Sequence, residues 1–170
     1  MNNKIKKVYD FLEIHIPSFI FIVLILTIGV GVFTRYVLDY PIPQLFELSI
    51  YSFVWIIYLG AALAKRYDKH IRFDVLYRKY SWKTKYIVDM IFDIILSGIL
   101  FLLLMPSFRY TIMNYSIKAS ALRIPWTYLL LCFPLFVILM LFHNITSIIF
   151  SIKIIRGKIV PKREEVYPWQ

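Results

Sequence analysis

Asp89 and Asp93 stand four residues apart at the start of a long apolar run, and on a helix they share one face. Two carboxylates on one face can bind a cation or relay a proton, and in lipid they are costly, about 2.5–3.5 kcal/mol for a central Asp on insertion scales. A second assignment weighs more, because both fall in the first turns of their run. There they complement the positive helix N-terminus and pair with neighbouring bases such as Lys85. His15 and His143 lie in two different apolar runs, and two such histidines in a helical bundle can ligate haem axially. That chemistry would make a redox anchor of the cytochrome b type, the alternative to the main reading below; one pair without matched depth favours ordinary core or interfacial histidines. Arg35 and Glu47 flank the short turn between the first two runs and suggest a salt bridge, worth roughly 0–1 kcal/mol near water.

Little else in the chain is reactive. The one cysteine, Cys132, excludes an internal disulfide or a thiol metal centre, and three scattered histidines are too few for a metal cluster. No glycine-rich phosphate loop and no nucleophile, base and oxyanion set can be recognised by spacing. The expectation is a protein that is not an enzyme and has no cofactor and no metal.

The elements that would position these residues are helices in a membrane. The 170 residues are 60% hydrophobic, above the usual soluble composition, and the apolar residues are gathered into four runs. The first, Ile14 to Val32, follows the basic residues Lys4, Lys6 and Lys7. It is longer than a signal-peptide core and is not followed by a small-x-small cleavage pattern, so it is expected to stay as an anchor. Spans are predicted at about 14-34, 46-64, 86-106 and 126-152, with tails 1-13 and 153-170 and a connector 65-85. Pro41 and Pro43 mark the first hairpin, and Pro134 should kink the fourth run, whose length requires tilt or an interfacial end.

The net charge of +10 could suit nucleic acid, but its bases flank the apolar runs, which suits acidic lipid headgroups instead. Sixteen of the twenty Lys and Arg residues fall in the two tails and the middle connector, and four fall in the two other connections. The positive-inside rule then places both tails and the connector in the cytoplasm. Within the connector, Phe73, Leu76, Tyr77 and Tyr80 recur at helical spacing away from Arg72, Lys79 and Lys83, which predicts an amphipathic helix along the inner headgroups. Gly29, Gly31, Gly60, Ala61, Ala62 and Ala64 allow close helix approach, and Trp55, Trp82 and Trp126 suit interfacial belts. The fold class is therefore all-α integral membrane, with four transmembrane helices and both ends inside.

Several residues in order also resemble a known family. Arg35-Tyr36-Val37, Glu47-Leu48, Trp55, Gly60-Ala61-Ala62 and His70-Ile71, followed by Ser120-Ala121-Leu122, Ile124-Pro125, Tyr128 and Pro134, resemble the small membrane subunit of tripartite ATP-independent periplasmic (TRAP) transporters, the DctQ-like family. The resemblance implies two partners: a large polytopic subunit holding the substrate and sodium sites, and a periplasmic substrate-binding protein. It further implies an elevator-type large subunit whose scaffold this chain widens, a bacterial inner-membrane location, and an organic acid cargo such as sialic acid or a C4-dicarboxylate. On this reading Arg35, Glu47, Trp55, Asp89 and Asp93 are structural or subunit-interface residues. Arg109, Tyr115, Lys118 and Arg123, within 106–126, are candidates to help dock the binding protein from outside, the alternative being that they pack on the large subunit.

Overall fold

A computed structural model describes residues 10–67 and 82–157. The predicted connector helix at Phe73–Tyr80 lies outside the described residues. Four helices are long and apolar enough to cross a membrane: α1 (Phe11–Tyr36), α2 (Pro43–Arg66), α3 (within Trp82–Met113) and α4 (Thr127–Ile155). Lipid offers no hydrogen bonds to a bare backbone, so apolar runs of this length must satisfy their amides internally as helices.

Each helix carries a local mark of its sequence. α1 opens with a π-turn, Phe11–His15, in which the Ile16 N–H bonds the Phe11 carbonyl; regular winding begins where Pro17, with no N–H, takes a first-turn position. The turn after α1 places Asp39 at φ 51°, a left-handed conformation that Asp tolerates better than most residues. α2 starts on Pro43, whose fixed φ suits an N1 position. α3 runs straight through Pro106 to Met113, past the predicted end of its span near 106. Pro134 does act on α4, but the interruption falls at Leu131, between Thr127–Leu130 and Cys132–Ile155. The missing Pro134 N–H would have bonded the Leu130 carbonyl, so the helical ladder fails one turn before the proline itself.

The helices stand in a row rather than a closed bundle. α1 packs on α2, α2 on α4, and α4 on α3, with no substantial packing of α1 on α3 among the described residues. One small core forms where Leu59 and Ala62 of α2 meet Leu139 of α4, roofed by Ile16, Trp55, Leu135 and Phe136. A second joins Leu100 of α3 to Val137 and Met140 of α4. Tyr58 links the two, edge-on to Phe133 and tilted against Phe136.

Much of the remaining apolar surface is outward, as Phe53 (55% exposed) and Leu102 (75%) illustrate. Lipid tails are as apolar as leucine, so these small cores hold the helices by close packing with little hydrophobic transfer gain. Polar bonds between helices therefore carry more of the specificity. α3 and α4 also form the longer pair. α4, at 29 residues, would extend about 43 Å, beyond a hydrocarbon core of about 30 Å, so tilt or an interfacial end must absorb the excess.

Candidate functional site: polar ties between the helices

Polar side chains from all four helices join in ion pairs where α1 begins and α2 ends. Glu13, in the π-turn of α1, is fully buried, and its carboxylate accepts a hydrogen bond from Arg66 Nη1 at 3.2 Å and pairs with His143 Nε2 of α4. Arg66 forks, its Nη2 pairing with Asp10. Beside it, Lys65 Nζ lies 2.5 Å from Asp93 Oδ1 of α3. The side chains of Lys65, Arg66 and Asp93 are no more than 15% exposed. Buried charges of this kind gain stability from one another only when paired and hydrogen-bonded, and a carboxylate stripped of its partner in such surroundings is strongly unfavourable. Asn144, adjacent to His143, is also fully buried.

A second tie closes the opposite end. Glu47, in the second turn of α2, faces the segment between α3 and α4. One carboxylate oxygen accepts the Ala121 N–H at 3.0 Å, and the other accepts both that N–H at 3.0 Å and the Leu122 N–H at 2.7 Å. The segment is a small hairpin: Ala119 N–H bonds Ile124 O at 2.9 Å, Arg123 N–H bonds Ala119 O at 3.0 Å, and Trp126 N–H bonds Ile117 O at 2.9 Å. Arg123 sits at φ 57°, a left-handed conformation that costs a residue carrying a Cβ roughly 1–2 kcal/mol. Successive N–H groups at such a reversal converge into a nest that attracts an anion, and the Glu47 carboxylate occupies it.

About two turns further along α2 the same face carries Trp55, whose Nε1–H donates to the Tyr128 carbonyl at 3.0 Å. Thr127 Oγ1 donates to the Thr111 carbonyl at 2.8 Å, fastening α4 to α3 at this end. Trp55→Phe keeps the ring and deletes the donor. Its expected cost is about 0.5–1.5 kcal/mol of stability, read as a small fall in Tm of the detergent-solubilised chain.

The residues singled out from sequence divide accordingly. Asp93 is buried on Lys65, a base at the α2 end of the connector rather than Lys85 at its α3 end, while Asp89 is half-buried. The Arg35–Glu47 salt bridge is not formed. Glu47 is engaged by backbone amides more than seventy residues away, and Arg35, in the last turn of α1, is exposed. The turn carries the two residues to different neighbours: α1 ends at the row's edge, and the Glu47 face of α2 looks toward α4. The histidines do not favour haem. His143 Nε2 is held by Glu13, and His15 Nδ1 lies 3.0 Å from the Asp10 carbonyl oxygen. Among the described residues no group of three or more His, Cys, Asp or Glu could hold a metal. Arg109, Tyr115, Lys118 and Arg123 are all exposed toward the Glu47 end.

Sequence reasoning passed over Asp10, Glu13, Lys65 and Arg66 as partners. A signal was available. Acidic residues at the start of one span and a basic pair at the end of the next, joined by a short hairpin, come to the same level in antiparallel helices. Nothing in the sequence brings His143 to them.

The described chain is thus an all-helical integral membrane protein in which Glu13, Arg66, Lys65, Asp93 and His143 pair across helices. Its family follows from comparison: the model described as "Tripartite ATP-independent periplasmic transporters, DctQ component" matches residues 24–153, and the chain belongs to that family. It is a small membrane component of a TRAP transporter, in a family whose systems are tripartite, with a large membrane component and a periplasmic binding protein. No curated protein matches the chain.

Proposed function

We infer that this subunit has no catalytic or transport site of its own and serves to widen and brace the stationary scaffold of a large, elevator-type, sodium-coupled subunit. The cargo is an organic acid, such as sialic acid or a C4-dicarboxylate, carried inward across a bacterial inner membrane. The tails and the connector lie in the cytoplasm, and the end carrying Glu47 faces the periplasm, where Arg109, Tyr115, Lys118 and Arg123 help dock the binding protein.

The observation that carries this reading is the use of the buried polar groups. Glu13, Arg66, His143, Lys65 and Asp93 pair with one another across helices, while the broad faces of the row stay apolar. A moving domain exerts a reaction force on its support, and a wide, lipid-anchored row with charged ends resists displacement along the membrane normal. The end facing the binding protein carries exposed Arg35, Arg109, Lys118 and Arg123 against exposed Asp39, a basic surface suited to an acidic partner.

Co-expression with the large membrane component of the same transporter tests the reading. A tagged copy of this chain should retain the large subunit through purification, and proteoliposomes should take up substrate only with both chains and the binding protein present. Uptake by this chain alone, or full uptake without it, would refute the bracing role. Reporter fusions at residues 1 and 170 should both report the cytoplasm; either one outside overturns the orientation.

A further inference from the structure

We propose that Glu47 is a positioning residue for binding-protein docking: its carboxylate holds the Ala119–Ile124 hairpin in the shape that presents Lys118 and Arg123 outward. The inference rests on the docking reading above and adds to it a residue that need not touch the partner.

The hairpin does not satisfy all of its own amides. Its own backbone bonds, Ala119 to Ile124, Arg123 to Ala119 and Trp126 to Ile117, leave the Ala121 and Leu122 amides pointing back toward α2. Both residues are half-buried, so without Glu47 those two donors would face a poorly hydrated surface with no acceptor. Glu47 accepts both, which fixes the reversal at Arg123 despite its left-handed φ of 57°. With the reversal fixed, Arg123 and Lys118 stand exposed on the outer side of the hairpin, while Ala119 is buried beneath it.

α2 is itself tied at its far end to α3 through Lys65 and to α1 through Arg66, and Glu13 of α1 pairs in turn with His143 of α4. The outer loop is thereby fastened to a helix anchored at both ends. A partner that reads two cations at a fixed spacing loses affinity when the loop carrying them becomes an ensemble, because ordering it is then charged against binding. No change in net charge of the outer surface is required for that loss.

The test uses the complete transporter, with its large subunit, in proteoliposomes, and titrates binding protein loaded with substrate. Four variants are compared with wild type: Glu47→Ala, Glu47→Gln, Lys118→Glu and Arg123→Glu. Glu47→Ala should raise the binding-protein concentration for half-maximal uptake at least about fivefold, with Glu47→Gln, which keeps one carbonyl acceptor, in between. Maximal uptake at saturating binding protein should stay within about twofold of wild type, since the ionic pairs that join the helices at the other end, Lys65 with Asp93 and Glu13 with Arg66 and His143, are unaltered. A spin label at Ser120 should show a broadened distance distribution to one on α2 in the alanine variant.

If Lys118→Glu and Arg123→Glu raise the half-saturating concentration and Glu47→Ala does not, the positioning role fails while docking stands. If none of the variants moves it, docking at this surface fails and the positioning role with it. If Glu47→Ala lowers maximal uptake and leaves half-saturation unchanged, Glu47 is structural only and the proposal is overturned.

Discussion

Replacing Arg66 with methionine should destabilise the chain by about 3–5 kcal/mol, the usual consequence of removing one partner from a buried ionic group. Arg66 is the cation shared by Asp10 and Glu13, and Glu13 is fully buried. Without the guanidinium, the part-exposed Asp10 loses that pair and the fully buried Glu13 keeps only its contact with His143. Methionine has nearly the length of the arginine stem, so lost packing is a small part of the effect. A second substitution separates charge from shape. Adding Glu13→Leu to Arg66→Met removes the orphaned carboxylate, and the double variant should recover most of the loss, since apolar replacement of a whole buried pair is often neutral. Thermal unfolding in detergent, followed by helical circular dichroism, measures both. A single variant that unfolds within a degree or so of wild type would show that the ionic layer does not hold the row together.

Reversing three charges at the opposite end should act on uptake instead. Arg109→Glu, Lys118→Glu and Arg123→Glu together turn the proposed docking surface from basic to acidic without altering a buried group. Exposed charges of this kind govern the rate of encounter more than the stability of the docked complex. With binding protein limiting and salt low, uptake should fall by roughly an order of magnitude or more. The deficit should shrink as salt rises, because the Debye length drops to about 3 Å at 1 M. Chain stability and retention of the large subunit should not change. Equal uptake by the variant and wild type at low salt would show that the binding protein docks elsewhere.

The two ends of the molecule were not equally legible in sequence. Four apolar runs announced four helices because hydrocarbon leaves the backbone no other partner, and four helices are long and apolar enough to cross a membrane, with α3 continuing to Met113. Asp93 could be read as a carboxylate paired with a connector base, since it falls early in its run beside a basic connector. Which base it finds could not be read, because Lys65 and Lys85 flank the same connector, one at either side, and only packing brings one of them within 2.5 Å. Glu47 was legible as an acid at a hairpin and was matched to Arg35 on proximity along the chain. Its acceptors are backbone amides, which every residue possesses, so no side-chain pattern marks Ala121 and Leu122 as donors. The break in α4 was legible as an effect of Pro134 and misplaced by three residues, because the proline disrupts the carbonyl of the preceding turn rather than its own position.

The sequence by itself determined that this protein is helical and long enough in four places to cross a membrane, because run length and polarity act locally and independently of neighbours. Tertiary structure alone decided that the helices form a row in the order α1, α2, α4, α3, that Glu13 meets His143, and that Glu47 closes on the hairpin between α3 and α4. Those outcomes depend on which helix faces share a seam and at what level. In lipid that choice rests on close packing and a few buried polar bonds, and the partners in each are separated by stretches of chain that carry no record of where they will meet.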